Sequence, residues 1–306
     1  MALKVNKSTT LTATLEAAAT TATLTSAVFD NGKGVPLTLE PESSTKMEVI
    51  LADITGTALT NIVRGQDGSS DVEHTGTPTI ALASTPSTWS RHLVELAGWI
   101  PAQETWAYAS ATTITVPAGA ASKYSIGDKI KLTQTTVKYF YVTGVADTVL
   151  TVNGGTDYTV ANAAITLNYY SKSASPVGFP HWFAYTTTAS NVTLGTGGTK
   201  PARFRMNGRD VRAVVKVTLG TSADVTGAIG VSVPITAANN SVDYLGKSYA
   251  RDAGTYANST DGVCRLPANT STLVFETAKT ATVWDADDPF DWTDTDILYA
   301  DISYEI

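Results

Sequence analysis

From Lys138 to Tyr170 the chain reads KYFYVTGVADTVLTVNGGTDYTVANAAITLNYY, with β-branched and aromatic residues alternating with polar ones. In steps of two, Tyr139 and Tyr141 fall on one face and Phe140 and Val142 on the other, the period of a β-strand whose two sides are both covered. Gly-Val-Ala-Asp and Asn-Gly-Gly-Thr-Asp punctuate the run, and these residue types accept positive φ or bond back to their own backbone. Turns recurring about every ten residues predict an all-β barrel or sandwich. The same alternation predicts strands at Thr21–Thr25, Met47–Leu51, Thr79–Leu82, Ala163–Leu167, Ala213–Leu219, Ile229–Ile235, Ser271–Glu276 and Ile297–Ile306. In the last of these, Ile297, Tyr299, Asp301 and Ser303 share one face, and Leu298, Ala300, Ile302 and Tyr304 the other.

One stretch breaks the pattern. In Ser84–Gly98, Trp89, Leu93 and Leu96 recur at i, i+4 and i+7, Ser87 or Thr88 can cap, and Gly98 can stop the chain, so a short amphipathic helix is expected. It connects two stretches that repeat in outline. Lys46 to Asp67 gives a strand, a turn, a Leu-Thr strand and a Gly-x-Asp turn; Lys138 to Asp157 gives the same in the same order, and each half closes on an apolar strand. The expected organisation is therefore a β module over 1–85, a connecting helix over 86–98, a second β module over 99–178 and a jelly-roll-like β-sandwich over 179–306, the two modules being small and barrel-like.

Composition narrows the function classes. Charged residues make up 16% of the 306, so much of the surface is hydroxyl-bearing β surface. A net charge of −7 argues against nucleic acid as a partner, because phosphate recognition relies on clustered Lys and Arg. The single Cys264 excludes an internal disulfide framework and reads as a small core residue. The N-terminus lacks the charged and apolar regions of a secretory signal, and no segment approaches the ~20 apolar residues of a membrane span, so synthesis in the cytoplasm without a membrane span is expected.

Candidate chemistry is sparse. Arg64-Gly65-Gln66-Asp67-Gly68 lacks the spacing of a phosphate loop and reads as a tight turn; His74 has no second His or Cys at ligand spacing and reads as a turn or interface residue. Trp284 to Asp296 holds six carboxylates and two Trp in thirteen residues; Asp285, Asp287, Asp288 and Asp291 are candidate calcium ligands, although the spacing is not that of an EF-hand. Trp284, Trp292, Tyr249 and Tyr256, with Tyr244, offer flat rings for sugars, core or interface packing being the competing use. No serine-hydrolase elbow, zinc-protease or dinucleotide motif is present, no carboxylate pair is marked for glycoside hydrolysis, and no cofactor is implied.

Gly98-Trp-Ile-Pro-Ala-Gln-Glu-Thr-Trp, Gly127-Asp-Lys-Ile-Lys-Leu-Thr-Gln, Lys138-Tyr-Phe-Tyr-Val-Thr and Gly178-Phe-Pro-His-Trp-Phe together resemble a module common in structural proteins of tailed bacteriophages. Val63-Arg-Gly-Gln-Asp-Gly with His74-Thr-Gly76 is similar to a turn of phage tail, baseplate and fibre proteins, with Ser69 where that pattern has Thr and one residue fewer in the His-to-Gly spacing. The resemblance covers roughly residues 45 to 183. It implies a virion structural protein of the tail-fibre, baseplate or head-fibre type, a homotrimer bound to other virion proteins, with host-surface glycan as a further partner and no catalytic residues carried over. A head-fibre, decoration or collar protein and a glycan-binding tip or surface-glycan depolymerase stand as alternatives.

Overall fold

The computed structural model describes residues 7–41, 43, 45–66, 69–82 and 97–306. The chain is all-β and falls into two compact units, Met1–Ala97 and Gly98–Ile306. The expected connecting helix over 86–98 lies outside the described residues apart from its final Ala97 and Gly98.

The first unit is a six-stranded antiparallel sheet formed by β1 (Ser8–Thr10), β2 (Ala22–Thr23), β3 (Gly32–Leu39), β4 (Glu48–Thr55), β5 (Ala58–Gln66) and β6 (Thr79–Ala81), in the order β1-β6-β3-β4-β5-β2. Its inward positions, Leu37, Leu39, Ile50, Ala52, Ile54, Leu59 and Ile80, meet Leu11, Leu15, Leu24 and Phe29 from the connecting loops in one core. Burying each such side chain stabilises the unit by about 1.5–3 kcal/mol before conformational entropy is subtracted.

The second unit opens with a seven-stranded sheet: β7 (Ile100–Pro101), β8 (Ala107–Ser110), β9 (Thr113–Thr115), β10 (Lys129–Thr133), β11 (Val137–Val145), β12 (Val149–Asn153) and β13 (Thr166–Ser171), ordered β7-β13-β10-β11-β12-β9-β8. Its one α-helix, α1 (Ala120–Lys123), is a single turn. The two sheets share a topology. In each, the first and last strands pair, the last strand pairs with the strand that opens a central meander, and an early strand closes the far edge; the β8–β9 hairpin stands where the described residues of the first unit place β2. The repeat read from the sequence thus corresponds to a repeated strand order.

One strand is displaced from its expected position. Ala163–Leu167 was the predicted strand, but β13 begins at Thr166, and Leu167 stands exposed with φ 45° where the pairing with β10 slips between Lys131 and Thr133. A bulge adds one residue and turns a side chain that alternation would bury out to solvent.

The remainder, β14 (Phe183–Ala184), β15 (Ala189–Thr193), β16 (Ala202–Asn207), β17 (Asp210–Thr218), β18 (Asp224–Ser232), β19 (Tyr244–Arg251), β20 (Thr260–Leu266), β21 (Thr272–Thr277) and β22 (Ile297–Glu305), forms one hydrogen-bonded sheet of nine strands, ordered β14-β16-β17-β22-β19-β20-β21-β18-β15. The sheet curls so that Val217 and Leu298 of its centre face Val225, Ile229 and Val231 of its far edge, giving the two layers of a sandwich from a single sheet. Alternation is strict in β17, β20 and most of β22: Leu298, Ala300, Ile302 and Tyr304 are buried and their neighbours look outward. Ile297, on the same face by alternation as Tyr299, Asp301 and Ser303, is nevertheless buried at the strand's start.

The second module and this sheet are locked together. Tyr141, Phe179, Phe183 and Phe204 form a chain of ring contacts with centroids 5.0–6.1 Å apart, and the Thr156 N–H donates to the Ala184 carbonyl at 2.8 Å. Gly155, at φ 62°, lies so close to that carbonyl that a Cβ would overlap it. The Gly-Gly turn is therefore a point of backbone contact as well as a reversal of the chain.

Candidate functional site

The outward face of the nine-stranded sheet follows from register. Across β16, β17, β22, β19 and β20, one row runs Arg203, Val214, Asp301, Lys247 and Val263. The next row runs Lys216, Tyr299, Tyr249 and Asp261, and the row on the other side Arg205, Arg212 and Ser303. These residues alternate with the buried Phe204, Val215, Ala300 and Cys264, so the core that holds them is made by the same strands.

Tyr249 and Tyr299 are each 37% exposed and sit side by side, ring centroids 6.3 Å apart and planes 32° apart. The Lys216 ammonium stands 5.7 Å from the Tyr299 ring. With Arg203, Lys247, Asp261 and Asp301 they border a shallow depression of about 570 Å³. Asp301 is engaged, accepting from Arg212 Nε and Nη2 at 2.9 and 2.6 Å, whereas Arg203, Lys216 and Lys247 make no ion pair among the described residues. On the same face, toward Ser303, a second depression of about 430 Å³ is lined by Tyr141, Phe179, His181, Arg205, Arg212 and Ser303. Trp182 closes that end, with the guanidinium carbons of Arg205 and Arg212 5.1 and 5.9 Å from its ring. Sequence reading missed Trp182 and Tyr299; the signal for Tyr299 was its place on the polar side of the final strand, and that for Trp182 its place beside a buried Phe.

The other nominated residues go elsewhere. Trp284 is a correction: it is fully buried, stacks on Phe275 with planes 14° apart, and donates Nε1–H to Thr277 Oγ1 at 3.0 Å. Gly262 makes room for it, since a Cβ there would collide with the indole. A large ring excluded from water serves the core, and sugar cannot reach it. Trp292 is half-buried and donates Nε1–H to the carbonyls of Asp285 and Asp288, which ties down the acidic loop. Tyr256 is 62% exposed and contacts Arg251 through both hydroxyl and ring. Tyr244 bonds to Asn240 at 2.7 Å and packs beside the buried Tyr304.

Asp285, Asp287, Asp288 and Asp291 are not brought together as a cation site. Asp285 Oδ1 accepts the backbone N–H of Asp287 and of Asp288, closing a turn on itself, and among the described residues no three His, Cys, Asp or Glu side chains converge as metal ligands. Asp294 and Asp296 likewise accept backbone N–H groups, from Ser222 and from Ala253 and Thr293. The loop is acidic because its turns are capped by carboxylates.

In the first unit the Arg64–His74 motif has become internal. Arg64 and Gly65 lie inside β5, and the turn closes between the Gln66 carbonyl and the Ser69 N–H. Buried Glu48 accepts Arg64 Nε and Nη2 at 2.8 and 2.7 Å and the Gly65 N–H at 2.8 Å. His74, expected at a turn or interface, is wholly buried, with Nδ1 2.8 Å from Glu40 and Nε2 2.9 Å from Glu48. Burial pushes the Glu48 carboxyl up, but hydrogen bonds from Arg64, Gly65 and His74 together outweigh it and hold the group below its ordinary range. A buried charge persists only when paired and hydrogen-bonded this fully, so the motif is a staple across β4, β5 and the following loop.

Fold and site together define an all-β protein with a ring-and-cation face open to solvent. Comparison with known protein families, curated proteins and solved structures finds no match. No helix among the described residues is long and apolar enough to cross a membrane.

Proposed function

We propose that this chain is a structural and adhesive component of a tailed-bacteriophage particle, of the short-fibre, tail or baseplate kind. It assembles in the host cytoplasm as a homotrimer, joins other virion proteins, and works by assembly and host attachment without catalysis. The observation that carries the reading is the pairing of a rigid β build, with one strand order used twice, and a sheet face whose rings and cations are left in water. The sequence likeness over residues 45 to 183 points the same way. Imaging of purified particles labelled with an antibody to the chain tests it: label on tail or baseplate supports it, label on head or collar moves the chain to a head-fibre, decoration or collar role, and no label removes the virion reading.

A second reading, a glycan-binding tip, is favoured by the exposed Tyr249–Tyr299 pair. Release of reducing sugar from host envelope would turn it into a surface-glycan depolymerase.

A further inference from the structure

We infer that the outward face of the nine-stranded sheet binds an acidic oligosaccharide, laid obliquely across β16, β17 and β22 between Trp182 and the Tyr249–Tyr299 pair. The inference rests on the attachment reading and adds the charge and extent of the ligand.

The rings give the length. Trp182 stands by the row that contains Arg212 and Ser303, and Tyr249 by the row that contains Lys216 and Tyr299, four residues further along the same strands. That is about 13 Å along the strands at ~3.3 Å per residue, and Trp182, next to β14, lies three strands across the sheet from Tyr299, about 14 Å more at ~4.8 Å per strand, so the backbone positions of the two ends are about 20 Å apart, the reach of a short run of sugar rings. Flat rings half in water take the apolar faces of sugars, and the row between them carries charged Arg203, Asp301 and Lys247 together with the apolar Val214 and Val263.

The cations give the sign. Arg203, Lys216 and Lys247 are unpaired around the depression, Arg212 being held by Asp301, and Asp261 is the one carboxylate left to oppose them. In a chain of net charge −7 this is a local reversal, and it complements carboxylates carried on a hydroxyl-rich polymer. A second copy of the chain fits less well. The core of a subunit contact is depleted of Lys, whereas Lys216 and Lys247 both border this depression.

The test is retention of the purified full chain on an array of uronate- and sialate-bearing oligosaccharides with neutral ones of matched length. Retention of acidic glycans is expected, weakened at least tenfold by the double variant Y249A/Y299A, by K216A/K247A and by W182A. All these side chains reach solvent, so the unfolding midpoint of each variant reports whether the fold survives. W182F, which keeps a ring, is expected to retain most of the binding. No retention of acidic glycans, or equal retention of neutral ones, overturns the inference. So does a drop in assembly mass in Y249A/Y299A with glycan retention intact, which would make the face a subunit contact. A chain absent from particles that still binds acidic glycan removes the virion reading alone; a chain present in particles that binds none removes this inference alone.

Discussion

At the scale of single residues, glycines and one tryptophan decide where backbone can approach backbone. Gly155 combines φ 62° with no room for a Cβ beside Ala184, while Gly197, at φ 81°, has open space around it. Gly155→Ala is therefore expected to destabilise the 98–306 unit by about 2–4 kcal/mol, strain and overlap together, and Gly197→Ala by about 1 kcal/mol, strain alone. Denaturant titration of the two variants checks the order. Trp284→Ala empties a fully buried site and is expected to cost about 3–5 kcal/mol. Trp284→Phe keeps the stack on Phe275 and loses the bond to Thr277, so it should cost less.

Elements are held by the carboxylate staple. Glu48 on β4 joins Arg64 on β5 to His74 in the loop before β6, and Glu40 completes the cluster from the end of β3. Glu48→Gln keeps the volume but leaves the buried Arg64 guanidinium with the part-exposed Asp71, 3.1 Å away, as its remaining carboxylate among the described residues, an expected loss of about 2–4 kcal/mol from the first unit. The pH dependence follows from the depressed carboxyl. Its contribution is fully present above the ordinary Glu value of 4.5 and is lost as pH falls through the lower folded value, because the unfolded chain takes up the proton first. Acid titration of stability should show this slope in the native protein, and in Glu48→Gln the part due to this group should be gone.

For the whole molecule, the units Met1–Ala97 and Gly98–Ile306 each have a core of their own, while the second module and the nine-stranded sheet share rings and backbone contacts inside one unit. A fragment beginning at Gly98 is expected to fold alone, and one ending near Pro176 to be destabilised because Tyr139, Tyr141 and Tyr158 lose their contacts with Phe179 and Phe183 and meet water. Circular dichroism and urea unfolding of the two fragments distinguish them. A homotrimer predicts a mass of three 32.1 kDa chains in light scattering; a single-chain mass would remove that part of the proposal.

Strand period, turn chemistry and the repeated order of strand, turn, Leu-Thr strand and Gly turn are local properties, and the sequence by itself determined them: the all-β class, most strands and the two faces of Asp296–Ile306 were readable from residues two apart. Which aromatic reaches water is a property of packing between segments far apart in the chain. Trp284 and Tyr249 look alike as candidates, yet Gly262 and Phe275 enclose the first, while the second is set beside Tyr299 by a register between β19 and β22 that no local pattern encodes. The same holds for Arg64 and His74, whose polarity suggests a surface turn until Glu48, brought from 16 and 26 residues away, neutralises the cost of burying them. Alternation says which side of a strand is apolar; only the assembled sheet decides what stands opposite.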